Sequence, residues 1–188
     1  MVVVLLLIGL LVLLVLVVGG LFFGMYNGLV RKRVASETAW SDIDVQLKRR
    51  HDLVPNLVNT VQGYASHEKE TLENVIQARN QAVGADGPAA SAAAEGMLSS
   101  ALGKIFALSE AYPDLKANQN FLSLQEELTS TENKIGFART HYNRTTANYN
   151  EALQTVPSNI VAGMCGFQKR DLFELEDASQ REAPQVKF

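Results

Sequence analysis

The sequence predicts an all-α protein: an N-terminal transmembrane helix followed by an antiparallel bundle of long helices. Three observations predict it. An uninterrupted apolar run opens the chain, apolar residues recur in sevens from Trp40, and a second such series starts at Phe121. Breaks rich in Gly, Ala and Pro separate the periodic segments, as expected of helices that double back on one another. No segment carries a convincing two-residue alternation of a strand.

The anchor comes first, over residues 1–25. Val, Leu, Ile, Phe and Gly fill it, and no charged side chain precedes Arg31. At about 1.5 Å per residue, 24 residues span roughly 36 Å, enough to cross a hydrocarbon core of about 30 Å with some tilt. A cleaved signal peptide normally has a basic start and a shorter apolar core, and the basic start is missing here. A lipoprotein signal needs a cysteine just after the apolar run, whereas the single cysteine is Cys165. The reading is a retained single span in the cell (inner) membrane, with the lipid bilayer as the first partner.

The rest of the chain, residues 26–154 as a helical bundle and 155–188 as a tail docking on it, is long enough for one domain burying about two-thirds of its unfolded surface. Its net charge of −3 is mild and well mixed, which argues against nucleic-acid binding. One cysteine excludes an internal disulfide.

In the first long helix the sevens are Trp40, Leu47, Val54, Val61, Glu68, Val75 and Ala82, with Ile43, Leu57, Tyr64 and Ala78 as a companion stripe. This coiled-coil-like spacing holds for about six heptads, roughly 65 Å if continuous. Pro55 predicts a kink near Leu53, and Ser66 is placed to cap a new helix after a weak point at Gly63. The segment from Val83 to Gly96, VGADGPAASAAAEG, reads as a loop. A shorter helix turns Leu98, Leu102, Ile105 and Phe106 toward the core and stops at Tyr112-Pro113. The last long helix runs from about Asn118 to Leu153, with sevens at Phe121, Leu128, Ile135, Tyr142 and Tyr149. The tail reads as otherwise irregular, held by some of Phe167, Leu172, Phe173, Val186 and Phe188.

Particular stretches carry a family resemblance: YNGLV at Tyr26, WSDIDVQLKRRHDLVPNLVNTVQGYASHEKE from Trp40 to Glu70, FLSLQEELTSTENKIGFARTHYN from Phe121 to Asn143, Tyr149-Asn150, and the terminal APQVKF. Together they resemble the LemA family of bacterial membrane proteins, over nearly all of the chain past the anchor. The resemblance implies a single N-terminal membrane segment, a helical bundle and no established enzymatic activity. Some relatives have a lipoprotein-type cysteine in place of a plain anchor, which implies a periplasmic or extracellular domain. This chain departs from that version.

The candidates for chemistry are few. His51, His67 and His141 are scattered, and none lies three or four residues from another. His67-Glu68 begins like a zinc-protease helix, but Thr71 stands where the second histidine belongs. The residues three before His67 and His141 are Tyr64 and Ala138, so the Glu-x-x-His pattern of di-iron bundles fails too. Cys165 lacks a nearby histidine or basic cluster, and Gly84 to Gly87 lacks the spacing of a phosphate loop. The sequence thus predicts no enzyme, no cofactor and no metal.

Four charges fall on or beside the apolar stripes. Arg50 and Glu68 lie on the first helix, Glu132 and Arg139 on the last. Charges in such places cost several kcal/mol unless paired, so each is expected to find a partner across the bundle. Register-fixing pairs are the ordinary explanation, and a binding cleft used by a tethered enzyme or accessory subunit is the functional alternative. Gly20, Gly24 and Gly28 recur every four residues on one face of the anchor, the spacing that lets two membrane helices approach closely. The expected activity is therefore that of a scaffold, acting through homo-oligomers or membrane protein partners.

Arg31, Lys32 and Arg33 follow the anchor, with no Lys or Arg before it, so the positive-inside tendency predicts a cytoplasmic domain. Fusions at Phe188 test this prediction. A reporter that fluoresces only in the cytoplasm should light up, and activity of an enzyme that works only outside it would reverse the orientation.

Overall fold

The computed structural model describes residues 1–174, and all its regular elements are helices. They are α1 (Val2–Gln62), α2 (Lys69–Gly84), α3 (Pro88–Ser109), α4 (Pro113–Lys116), α5 (Gln119–Ala152) and α6 (Ser158–Met164). Val186, Phe188 and the APQVKF end lie outside the described residues. The described residues thus form an all-α protein with an N-terminal transmembrane helix. They divide into two compact units.

One unit comprises Trp40–Tyr142 together with residues 171–174. Its core takes Val54, Leu57 and Val61 from α1, Leu72 and Val75 from α2, Leu98 and Ile105 from α3, Leu115 from α4, and Phe121 and Leu128 from α5. These are the heptad positions, buried because a stripe with a period near 3.6 has one side to hide. Helix α1 runs unbroken through Pro55. A mid-helix proline costs about 3 kcal/mol, and the burial of Val54, Leu57 and Val58 around it is what offsets that cost.

Three expectations are corrected here. Helix α2 starts at Lys69 with Glu68 in the cap position, so Ser66 lies too early to cap it. The segment read as a loop is mostly helix: only residues 85–87 connect α2 to α3. Gly87 takes a φ of +80°, which favours glycine, and Pro88 stands in the first turn of α3. Beyond it the alanines are the strongest helix formers of all, an effect that outweighs the apparent low complexity. Finally, Ser158–Met164 is helical where an irregular tail was expected.

Asn118 begins α5, its Oδ1 accepting the Phe121 N–H at 3.0 Å as an N-cap does. An aromatic corner of Trp40, Tyr142 and Phe173, with centroids 5.4 and 5.9 Å from Trp40, closes this unit. The Tyr142 hydroxyl donates to the Asp171 carbonyl at 2.7 Å.

The other unit comprises Met1–Ala39 and Asn143–Arg170. Every large apolar side chain from Val2 to Val18 is more than half exposed, as a lipid-facing helix requires. Further along, Leu29 is buried with Val161 and Ala162 of α6, flanked by Phe22, Met25, Leu153 and Phe167. Ser36 Oγ and Thr146 Oγ1 share a fully buried hydrogen bond of 2.6 Å. Asn150 clamps the chain after α6, its amide donating to the Arg170 carbonyl at 2.8 Å while its Oδ1 accepts the Arg170 N–H at 2.9 Å. Tyr149 adds a hydroxyl donated to the Gln168 carbonyl at 3.0 Å. Burial pushes the Tyr149 phenol pKa up, and Arg33 and Arg170 pull it partly back.

Candidate functional site

Arg50 follows Leu47 by three residues and precedes Val54 by four, so the helical period turns it into the bundle. It is 4% exposed. Its Nη1 donates to Oε2 of Glu132 on α5 and lies 3.5 Å from Oε2 of Glu95 on α3. Its Nη2 donates to Ser99 Oγ at 2.8 Å. The neighbouring His51, also buried, places Nε2 2.5 Å from Glu95 Oε1. With Glu95 ionised, the imidazole nitrogen is the donor in that contact. One arginine thus joins α1, α3 and α5.

The two carboxylates do not contribute alike. Glu132 is half exposed, so water screens its attraction, whereas Glu95 is as buried as Arg50. Within the bundle Arg50 Nε and Glu95 Oε2 make no hydrogen bond. The 3.5 Å separation of Glu95 Oε2 from the guanidinium is an ion pair without hydrogen-bond geometry.

Beside this cluster opens a groove of about 910 Å³. Arg50, Glu95, Ser99, Glu132 and Arg139 line its charged side. Asn74, Gln77 and Gln81, three or four residues apart on α2, present amides from the other. Arg139 makes no ion pair among the described residues. Amides and unmatched charge can hold polar ligands or a polar peptide, so the groove is a binding surface in chemical character. Among the described residues no three His, Cys, Asp or Glu side chains converge to hold a metal ion.

Of the four charges singled out in the sequence, the fold brings Arg50 and Glu132 into contact and sets Arg139 on the same groove. Glu68 departs from the expected network. Its carboxylate accepts the Tyr112 hydroxyl at 3.2 Å, away from Arg50. That hydrogen bond, aided by desolvation and the carboxylate's charge, holds the Tyr112 phenol above its ordinary pKa. The sign follows from the raised value: whatever stability the contact brings is present at neutral pH and is lost as the phenol ionises in alkali.

Sequence reasoning missed His51, Glu95 and Ser99. Glu95 was concealed by the loop reading of its segment. Once that segment is helical, Glu95 lies three residues from Leu98 and seven from Leu102, on the buried face. At Gly20, Gly24 and Gly28 a Cβ would meet nothing within 4 Å among the described residues apart from the helix's own neighbouring backbone.

The sequence model of the LemA family matches residues 39–188, most of the chain. The chain belongs to the LemA family. Protein LemA of Metamycoplasma hominis is 29% identical over 161 residues, covering 83% of this chain and 71% of that protein. Magnetosome protein MamQ of Magnetospirillum gryphiswaldense is 25% identical over 179 residues, covering 81% of this chain and 66% of MamQ. A MamQ of Paramagnetospirillum magneticum matches to the same extent. The chain therefore spans about two-thirds of the length of these MamQ relatives.

If Arg50 is the tie between helices, Arg50→Ala strands Glu95 without its cation and should cost on the order of 3 kcal/mol. Arg139→Ala, which breaks no ion pair among the described residues, should cost under about 0.5 kcal/mol. Thermal unfolding of the full chain in detergent, followed by circular dichroism, measures both. An unchanged midpoint in the Arg50 variant would remove the network from the account.

Proposed function

We propose that this LemA-family chain is a membrane-anchored helical scaffold that works through self-association and protein partners, without catalysis. The observation that supports this reading is the mutual use of the polar groups. Arg50, His51, Glu95 and Glu132 are engaged with one another across three helices, the arrangement of residues that fix packing. A general acid or nucleophile needs a free, aimed group, and these side chains are committed to each other.

Self-association draws on the anchor. Stepping 100° per residue, the row of Gly20, Gly24 and Gly28 lies about 130° around α1 from the side that carries Phe22, Met25 and Leu29. That other side is covered by α6, whereas among the described residues no other element comes within 4 Å of a Cβ on the glycine row. Small residues at this spacing let a second helix come close where α1 leaves the bilayer, and close packing is what drives association of membrane helices. The proposed setting is a bacterial cell membrane, with the domain in the cytoplasm.

A second reading is favoured by the groove: a tethered enzyme or accessory subunit that uses Arg139 and the α2 amides to bind a polar partner. In that case self-association is dispensable.

Gly24→Ile separates the two readings. Among the described residues a Cβ at Gly24 meets no neighbouring element within 4 Å, so the substitution chiefly perturbs what packs on α1 from outside. Light scattering of detergent-solubilised particles and crosslinking in membranes should show oligomers in the original protein and smaller species in the variant. Oligomers unchanged by Gly24→Ile would move the contact elsewhere. Monomers in the original protein would discard the assembly and leave the groove.

A further inference from the structure

We propose that α6 is a second membrane-contacting element, lying in the interfacial layer of the bilayer and setting the depth of the anchor. This inference rests on the reading of the N-terminal helix as transmembrane. At about 1.5 Å per residue a core of about 30 Å consumes roughly 20 residues. No charge precedes Arg31, so the edge of that core falls before it, and Phe22 to Leu29 form the last apolar turns of α1 toward the headgroup layer. The cluster that buries Val161 and Ala162 of α6 is built on Phe22, Met25 and Leu29. Helix α6 is therefore packed beside that layer by side chains that the anchor itself supplies.

The outer side of α6 is unusual for a surface turn. Ile160 and Met164 are four residues apart, so they share one face, and they are 59% and 72% exposed. Val156 just before the helix is 73% exposed. Apolar side chains grouped this way are disfavoured in water and stabilised at the acyl boundary, in proportion to the area withdrawn from solvent. Tyr26 and Phe167 form an edge-on aromatic pair at the same level, with centroids 5.6 Å apart, in the manner of the aromatic belts found at membrane surfaces.

Charge points to the same occupant. Met1–Ala39 and Asn143–Arg170 hold six Lys and Arg against two acids, Glu37 and Glu151, whereas the whole chain has a net charge of −3. Glu37 is already paired with Arg170 at 2.7 Å, and the Arg33 guanidinium sits over the Phe167 ring. Arg31, Lys32 and Lys169 are exposed and make no ion pair among the described residues. An apolar face continuous with the anchor and flanked by these cations fits anionic lipid, whose negative surface attracts them.

The test uses the full chain with Cys165→Ser, which removes the only thiol, and a new one from Ile160→Cys or Met164→Cys. Each is labelled with a polarity-sensitive dye and reconstituted in vesicles of phosphatidylcholine and phosphatidylglycerol. Both dyes should emit to the blue of the same dye on a small thiol in water and resist quenching by iodide. Lipids with a nitroxide near the headgroup end of the acyl chain should quench them more than lipids labelled near the methyl end. Quenching by iodide as free as that of the small-thiol conjugate overturns the proposal. Protection from iodide without nitroxide quenching means that protein, a second copy or another partner, covers α6, and overturns it too. Failure of the chain to float with the vesicles would instead refute the transmembrane reading beneath it.

Discussion

A guanidinium withdrawn from water has to be neutralised where it stands, and in this bundle that requirement falls on Arg50. The helical period places it inside, so an acceptor must come from another helix; α3 supplies Glu95 and Ser99, and α5 supplies Glu132. An apolar core tolerates small rotations and slips of its helices, because one leucine contact is much like another. A buried cation does not, since each displacement leaves charge unpaired in low dielectric. The pair thus fixes which face of α3 meets α1. The groove beside it is a consequence, because polar side chains at the end of a packed core leave space that apolar ones would fill.

In the membrane-proximal unit a different device serves a similar end. The chain after α6 has no helix or strand partner, so its backbone groups need acceptors and donors from elsewhere. Asn150 supplies both at Arg170, and Tyr149 supplies one more at Gln168. These residues follow Thr146, which is buried against Ser36. Polar side chains here do the work of a missing secondary structure and keep Phe167 and α6 against the last apolar turns of α1.

Much of this was legible in the sequence. The stripe from Phe121 locates α5 to within a residue or two, and the one from Trp40 marks the buried side of α1 and α2 but runs straight across the turn between them, because burial enforces the period wherever a helix packs. Arg50 stood out because it interrupts its stripe, and Glu132 because it lies beside one. The start of α3 was not legible: Gly87-Pro88 and a run of alanines look like a linker, and alanine gives no contrast between a buried and an exposed face. Glu95 was lost with it, and so was the deeper half of the central ion pair. Ser66 failed as a cap because the chain makes a further turn, with the Glu68 N–H bonded to the Ala65 carbonyl, before α2 begins. Glu68 satisfied the heptad count but not the network, since beyond that turn it belongs to a new helix end and meets Tyr112 instead. Periodicity reads faces of helices well; it does not read the turns that decide which faces meet.

The claim that one buried charge organises the bundle is tested most directly by a double-mutant cycle between Arg50 and Glu95. Stabilities of the original chain, Arg50→Ala, Glu95→Ala and the double variant are measured in detergent by chemical unfolding. Residues that act as one pair should show a coupling on the order of 1–3 kcal/mol, with the double variant more stable than the two single losses imply. Losses that simply add, to within about 0.5 kcal/mol, would show that Arg50 and Glu95 act independently and would contradict the account.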